Sequence, residues 1–172
     1  MKQAEAYERF RDLHLRPAGF IMPNPWDGVS ALLFKEAGFE ALGTSSAALA
    51  ATLGRVDGRH ALMLDEHLAH ARLITQVTGL PVNGDFEDGY GESPEDVART
   101  VEMAIGAGLA GIGIEDTSGN PNQPIRDFDE AGVKRVSMGV SLYSRVMKDL
   151  QTVSNLRPFR PSSDHSPPQI PS

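Results

Sequence analysis

A short apolar segment, a polar loop and a helix recur in that order along the chain. Apolar segments at 20–22, 41–43, 81–84 and 111–116 are predicted strands, spaced about 20 to 40 residues apart. Strands separated by helices pair in parallel, because each crossover returns the chain to the same edge of the sheet. The pattern therefore predicts an α/β fold of parallel strands with crossover helices.

Helices are predicted between these strands from apolar residues spaced three or four apart. The predicted ranges are 2–14, 28–37, 47–53, 65–77, 94–107 and 141–153, and a fifth strand is predicted at 133–137. The helix from 94 has the strongest start signal, because Ser93 is a preferred N-cap, Pro94 suits the first helical position and Asp96 approximates a capping box. Asp27 is the predicted cap of the second helix.

Composition excludes several classes of function. The chain has no cysteine, which rules out disulfides, thiolate metal sites and a cysteine nucleophile. Its net charge of −7 leaves no basic surface for nucleic acid. No apolar run approaches the roughly 20 residues of a spanning helix, and residues 1–15 lack the core of a signal peptide. A cytoplasmic protein with no nucleic-acid or membrane partner is therefore expected.

The C-terminal end differs in composition from the rest. Residues 157–172 contain five prolines and few residues that can pack into a core. Such a segment is typical of disorder. We therefore expect one domain at 1–155 and a disordered, proline-rich tail at 156–172.

An acidic loop follows the third predicted strand. Asp85, Glu87 and Asp88 lie within four residues. On an extended backbone Asp85 and Glu87 point the same way, and the carboxyl ends of strands are where α/β folds carry their chemistry. Two carboxylates on one side suit Mg²⁺, which takes one or two of them plus water and substrate oxygens. The alternative is that Asp88 and Gly89 form an ordinary acidic turn.

Other polar residues allow two interpretations each. His67 and His70 are three apart on a helix and could share a metal, but two exposed histidines on a charged helix is the simpler interpretation. Ser45 and Ser46 form either a helix N-cap or an anion site. Trp26 either packs on a strand end or lines a substrate pocket.

Four segments together resemble one known superfamily. They are Met22-Pro23-Asn24-Pro25-Trp26-Asp27, Thr44-Ser45-Ser46-Ala47, Asp85-Phe86-Glu87-Asp88-Gly89-Tyr90-Gly91 and Ile114-Glu115-Asp116, each at a predicted strand end. Their order and spacing resemble the isocitrate lyase and phosphoenolpyruvate mutase superfamily over about residues 5–127. Within it, the chain looks most like the phosphonomutase-like, oxaloacetate-decarboxylase-like group.

The resemblance implies a TIM-type barrel that binds Mg²⁺ and a small α-keto acid. Asp85 and Glu87 match the positions of the metal carboxylates, and Glu115 matches an acid that supports the metal, usually through water. The family more often carries aspartate at the position of Glu87, which implies coordination through water there. Homo-oligomers that exchange C-terminal helices also occur in the family.

The resemblance also implies a substrate site. Ser45, Ser46 and Ala47 match the loop that holds the substrate carboxylate, and Asp57 matches a catalytic acid near the reacting centre. The implied reaction breaks a C–C or P–C bond in an oxaloacetate-like or phosphoenolpyruvate-like acid, through a metal-stabilised enolate. The chain lacks the catalytic cysteine of the family's lyases and the gating-loop lysine of its mutases. Decarboxylation of oxaloacetate, or hydrolysis of a related acid, is the least demanding reaction of this kind, because it needs mainly the metal and an electron sink.

The chain is shorter than a complete barrel of this family. A complete (β/α)₈ barrel needs about 250 residues, and this chain has 172. Residues 131–139 resemble the eighth strand of the family rather than the fifth, so strands five to seven are expected to be missing, with the join near 126–130. We therefore expect an incomplete barrel. The alternative function is a truncated, catalytically inactive family member with at most residual metal or ligand binding.

Overall fold

The computed structural model describes residues 1–58, 60–91, 93–114 and 134–154. In chain order, the elements are α1 (Gln3–Leu15), β1 (Phe20–Met22), α2 (Gly28–Glu36), β2 (Leu42–Gly43), α3 (Ser46–Thr52), α4 (Leu64–Thr78), β3 (Val82–Asp85), α5 (Pro94–Gly106), β4 (Gly111–Gly113), β5 (Arg135–Ser137) and α6 (Ser141–Ser154). Every predicted helix and strand is present, most within two residues of its predicted bounds. Predictions for Glu115, for the join at 126–130 and for the tail at 156–172 lie outside the described residues.

All strand pairs are parallel. β5 pairs with β1, whereas β2, β3 and β4 form a second ladder in that order. The Gly43 N–H donates to the Pro23 carbonyl at 3.0 Å, which connects the end of β1 to β2. The spatial order is therefore β5-β1-β2-β3-β4. In a closed barrel the last strand pairs with the first, and β5 does so here, so the described strands form an incomplete α/β barrel as predicted.

The first helix covers the N-terminal ends of the strands. Its buried residues Ala6, Phe10 and Leu13 pack with Met22 of β1 and with two alanines that precede β2 and β4. The Phe10 ring lies so close to Gly111 that a Cβ there would sit 2.9 Å from it. The small residue at the start of β4 therefore allows the close packing of α1. The opposite, C-terminal ends of the strands remain available for a site.

A second apolar cluster joins α2, α4 and α5 to β2 and β3. In α5 the buried positions are Thr100 and Ala104, whereas the neighbouring Ile105 is 49% exposed. Over residues 141–153 of α6, Tyr143 is the one buried residue, and Val146 and Leu150 face solvent. Within the described ranges, no helix combines the length and apolar character needed to cross a bilayer.

Candidate active site

Asp85 is the last residue of β3, and its carboxylate is fixed by the start of α3. Its Oδ2 accepts from the Ser46 N–H at 2.7 Å, and its own N–H donates to Thr44 Oγ1 at 2.8 Å. The N-terminus of a helix favours a negative charge. The carboxylate therefore lies at the C-terminal edge of the sheet in a defined orientation, next to the predicted anion loop.

Glu87 lies beside Asp85, but not because the strand continues. β3 ends at Asp85, and Glu87 takes a left-handed backbone with φ of +46°. The Glu87 N–H donates to Asp85 Oδ1 at 3.3 Å, so the two acids are linked through the turn. A left-handed glutamate is uncommon and carries backbone strain. The turn, rather than the period of a strand, brings these acids together.

The Glu87 side chain is held on both oxygens. Its Oε1 accepts from the Tyr90 hydroxyl at 3.2 Å, and its Oε2 accepts from the His60 N–H at 3.3 Å. The side chain is only 12% exposed. Burial, followed by the charge on Glu87, raises the pKa of Tyr90, so its hydroxyl stays protonated and can act as a donor.

The loop that carries Asp57 is tied to the loop after β3. His60 Nε2 lies 2.8 Å from Asp88 Oδ1, and the His60 ring stacks on the Tyr90 ring at 4.9 Å. The hydrogen bond to Asp88 raises the pKa of His60 and lowers that of Asp88. Asp88 therefore connects the loop that carries Asp57 to the loop after β3, and does more than form a solvent-exposed turn.

Asp57 contributes a third carboxylate to this region. Its side chain reaches solvent, yet desolvation raises its pKa, and the charges of Glu87 and Asp85 raise it further. A hydrogen bond with the Ser46 side chain partly opposes this rise. Ser46 lies between the two acids, because its N–H donates to Asp85 Oδ2 and its side chain is close enough to Asp57 to lower the pKa of that acid. Asp57, Asp85 and Glu87 form what we call the acidic cluster.

Asp57→Asn is expected to stabilise the metal-free protein, because a neutral amide pays no cost for desolvation of a charge and is not repelled by Glu87 and Asp85. A raised pKa means that folding favours the protonated acid, so this contribution to stability is present at low pH and is lost as the pH rises through the raised pKa. In EDTA at pH 7.5 we expect a rise in melting temperature of about 1–3 °C, since solvent and salt screen such charges. This increase in melting temperature over the wild type should be smaller at low pH, where Asp57 is protonated. A melting temperature that falls at both pH values would contradict this account of Asp57.

The predicted substrate loop is buried at the start of α3. Ser45 is the N-cap, and its Oγ accepts from the Ala48 N–H at 3.3 Å. Ser46 uses its N–H for Asp85, and Ala47 follows in the first turn. The cap interpretation of Ser45 is therefore confirmed. Binding of a substrate carboxylate by Ser45, Ser46 and Ala47 stays a prediction.

A cavity of about 200 Å³ opens at the same end of the sheet. Its polar lining includes Asn24, Thr44, Asn83, Asp85, Arg135 and Ser137. Arg135, which sequence analysis did not single out, is half-buried, and its guanidinium donates to Asn83 Oδ1 at 3.2 Å and lies 5.7 Å from the centre of the Phe10 ring. A small cavity with one cation and several amide groups suits a small organic acid.

The interpretation of His67 and His70 as exposed is wrong. Their exposed fractions are 2% and 8%, and they face the core side of α4. Leu64, His67, Leu68 and Ala71 share one helical face, so the spacing of the apolar residues could have indicated this burial. Burial lowers the pKa of both rings, which favours neutral imidazoles.

Within the described ranges, no three histidine, cysteine, aspartate or glutamate side chains are arranged to hold a metal ion by themselves. Glu115, the third predicted metal carboxylate, lies outside those ranges. Asp85 and Glu87 remain as the described pair of predicted ligands. Mg²⁺ needs only one or two carboxylates because water and substrate oxygens complete its shell.

Comparison with known proteins identifies the family. The family model for phosphoenolpyruvate phosphomutase matches residues 10–131. The 2-methylisocitrate lyase of Escherichia coli K12 is 40% identical over 107 residues, which are 58% of this chain and 36% of that enzyme. The region that the family model matches contains β1 to β4 and the acidic cluster.

Two solved structures share the fold. A 2,3-dimethylmalate lyase, itself a member of the PEP mutase/isocitrate lyase superfamily, superposes with a TM-score of 0.58 at 34% identity, over 64% of this chain and 39% of that one. An oxaloacetate acetylhydrolase in complex with oxalate gives a TM-score of 0.58 at 26% identity, over 87% and 60%. The chain therefore spans less than two thirds of the length of each of these proteins, from 36% to 60%.

Proposed function

The chain belongs to the phosphoenolpyruvate mutase and isocitrate lyase superfamily, and we propose that it is a Mg²⁺-dependent enzyme that cleaves a C–C or P–C bond in a small α-keto acid. The observation that carries this proposal is the fixed orientation of Asp85. Its carboxylate is held by the Ser46 N–H at the C-terminal end of β3, with Glu87 and Asp57 beside it.

The acidic cluster fits a hard divalent cation. Its donors are carboxylate oxygens, and the charges that raise the pKa of Asp57 come from two other acids. A cation would offset that repulsion. Asp85 and Glu87 are the residues proposed to hold it, and Glu115 is proposed to support it. Bound there, Mg²⁺ would act as a Lewis acid on a keto oxygen and stabilise negative charge that develops on it.

Other side chains of this protein are proposed to bind the carboxylates of the substrate and to exchange a proton with it. Arg135 lines the 200 Å³ cavity with Asp85 and is the proposed partner of a substrate carboxylate, because a guanidinium binds carboxylate well. Ser45, Ser46 and Ala47, at the start of α3, are proposed to bind a substrate carboxylate as well. Asp57, whose raised pKa brings it closer to neutral pH, is the proposed group that exchanges a proton with substrate.

Oxaloacetate is the first substrate to test. It is a small dicarboxylic α-keto acid, and the oxaloacetate acetylhydrolase named above supports that class of substrate. Its decarboxylation requires orientation and stabilisation of negative charge on the keto oxygen. It does not require a cysteine, which this chain lacks.

A catalytically inactive remnant is the second candidate. The chain spans only 36% of its E. coli relative, and in the described part the edges of β4 and β5 have no neighbouring strand. An unpaired edge exposes main-chain groups and invites association. Such a protein would retain at most weak metal or ligand binding.

Release of pyruvate from oxaloacetate separates the two candidates. The purified full chain is expected to accelerate it above the rate given by Mg²⁺ alone, and EDTA should remove the acceleration. Asp85→Ala should abolish it. Asp149→Ala, which removes an exposed carboxylate of α6, should leave it unchanged. No acceleration by the wild type would favour the inactive remnant, and activity that survives Asp85→Ala would contradict the metal assignment.

A further inference from the structure

Arg135 places a positive charge at the inner end of the 200 Å³ cavity, on the side where α1 covers the strands. Its guanidinium is half-buried, lies 5.7 Å from the centre of the Phe10 ring, and donates to Asn83 Oδ1 at 3.2 Å. Among the described residues, this is the one hydrogen bond that the guanidinium donates. A guanidinium carries several N–H donors in a planar fork. Most of them are therefore available to a further acceptor.

Among the described residues, no acid offsets this charge. The partner atom on Asn83 is a neutral amide oxygen. Burial lowers the pKa of Arg135, and no neighbouring carboxylate contributes to that shift. Arginine stays charged at neutral pH, and a charge away from water is stabilised by a counter-charge within reach. An anion that enters the cavity would supply this counter-charge.

The acid that lines the same cavity lies at its outer end. Asp85 follows Asn83 by two residues on β3, so their Cα atoms are about 7 Å apart, and its carboxylate accepts from the Ser46 N–H. Side chains two residues apart on a strand face the same way, and both of these line the cavity. The cavity thus has a cationic inner end and an acidic outer end.

Glycines on β4 leave space beside Asn83. Asn83 is in register with Gly111, and Asp85 is in register with Gly113. A Cβ at Gly111 would lie 2.8 Å from Asn83 Oδ1, the atom that binds Arg135, and a Cβ at Gly113 would lie 3.5 Å from Asn83 Nδ2. Side chains at these two positions would reduce the space next to the guanidinium. Their absence keeps this part of the cavity open to a ligand.

We propose that the inner end of the cavity is a binding site for a small carboxylate, centred on Arg135 and formed without a metal ion. Two N–H groups on one edge of a guanidinium match the two oxygens of a carboxylate. Sites for drug-sized ligands measure roughly 300–1,000 Å³, so a cavity of about 200 Å³ suits a smaller molecule. One negative charge suits the metal-free site best, because Asp85 repels an anion that extends to the outer end.

The inference goes beyond the proposed function, because this site would also be present in a catalytically inactive chain. It separates the binding of a carboxylate from the binding of a metal. A substrate of the proposed enzyme would then be held at Arg135 before a cation reaches the acidic cluster. Each of the two events can be measured without the other.

A nuclear magnetic resonance titration of the ¹⁵N-labelled full chain in EDTA tests the proposal. Pyruvate, a small monocarboxylate, is added while sodium chloride keeps the ionic strength constant. We expect saturable shifts with a dissociation constant in the millimolar range, including the side-chain N–H signal of Arg135. Arg135→Gln should weaken binding at least about tenfold, since charge-assisted hydrogen bonds are lost. Arg135→Lys keeps the charge without the fork and should fall between the two.

Lys134→Gln is the matched control. It removes the same charge one residue earlier, but Lys134 is exposed and its Nζ donates to the main-chain carbonyls of Arg16 and Pro17. We expect its pyruvate affinity to lie within about threefold of the wild type, because a screened surface charge contributes little. Equal weakening in Arg135→Gln and Lys134→Gln would show that overall charge attracts the anion, and would overturn the proposal.

The other outcomes separate this inference from the proposed function. Absence of saturable binding to the wild type in EDTA would overturn the Arg135 site, whereas Mg²⁺-dependent release of pyruvate from oxaloacetate would still support the enzyme. Inorganic phosphate that binds at least as tightly as pyruvate would overturn the assignment to a carboxylate. If Arg135→Gln fails to fold by circular dichroism, Arg135→Lys and the shift of the wild-type Arg135 signal decide. An Arg135 signal that does not move during saturation would contradict the proposal.

Discussion

Asp85→Asn is expected to weaken Mg²⁺ binding by at least about 100-fold, which corresponds to about 2.7 kcal/mol. The amide retains the shape of the side chain and an oxygen that can accept from the Ser46 N–H, so α3 should keep its position. The negative charge is lost. Hard cations such as Mg²⁺ depend on carboxylate charge, and Glu87 alone would remain in the described part of the site. Calorimetric titration of the two proteins with Mg²⁺ measures the difference.

Asp88→Asn makes the same change of charge three residues away and is the matched control. Asp88 is exposed, and its carboxylate binds His60 rather than pointing into the acidic cluster. We expect its Mg²⁺ affinity to lie within about threefold of the wild type, since a screened surface charge contributes little. Equal losses of Mg²⁺ affinity in both variants would mean that the overall negative charge of this region, and not a specific site at Asp85, attracts the ion.

Asn24→Leu is expected to lower the free energy of unfolding by about 2–4 kcal/mol. Asn24 is 2% exposed and joins three strands. Its Nδ2 donates to the Thr44 carbonyl at 2.6 Å, after β2. Its Oδ1 accepts from Ser137 Oγ at 3.0 Å and from the N–H groups of Met138 and Gly139 at 3.0 and 2.9 Å. Leucine has a similar volume but makes none of these hydrogen bonds, so the buried Thr44 carbonyl and the partly buried Gly139 N–H lose their partner.

Urea unfolding followed by circular dichroism measures this loss. Ser137→Ala removes only one of the four hydrogen bonds, so it should cost about 1 kcal/mol. The two free energies of unfolding should therefore differ by more than about 1 kcal/mol. Similar small losses in both variants would show that Asn24 does not hold β5 against β1 and β2. The closure of the last strand on the first would then need another explanation.

Local signals explain why the elements could be predicted. Asp27 and Ser93 accept from the main-chain N–H groups three residues further on, as the sequence predicts for these helix caps. A cap depends on neighbours in sequence, so it can be recognised without tertiary structure. The parallel order follows in the same way from alternation of strands and helices. β5 could be assigned to the last strand because 131–139 resembles that part of the family.

Properties that depend on contacts distant in sequence were harder to predict. His67 and His70 are buried where α4 packs on α2 and β3. The apolar spacing of α4 indicates that face, but the charged residues of the helix favour the wrong interpretation that both histidines are exposed. The role of Asn24 has no local signal in the sequence, because three of its four partners lie more than 110 residues away. The left-handed turn at Glu87 follows from the hydrogen bonds of its loop, not from its residue type.

Thermal unfolding tests the central claim most directly, namely that this short chain folds and assembles a divalent-metal site at Asp85. The full chain is melted by circular dichroism in EDTA and then with Mg²⁺ plus oxalate, a mimic of an enolate. At ligand concentrations about 100 times the dissociation constant, binding to the folded state adds about 2.7 kcal/mol, or about 5–10 °C. We expect a cooperative transition that shifts upward by this amount in the wild type and not in Asp85→Asn. A broad transition, or a cooperative one that does not move, would contradict the account.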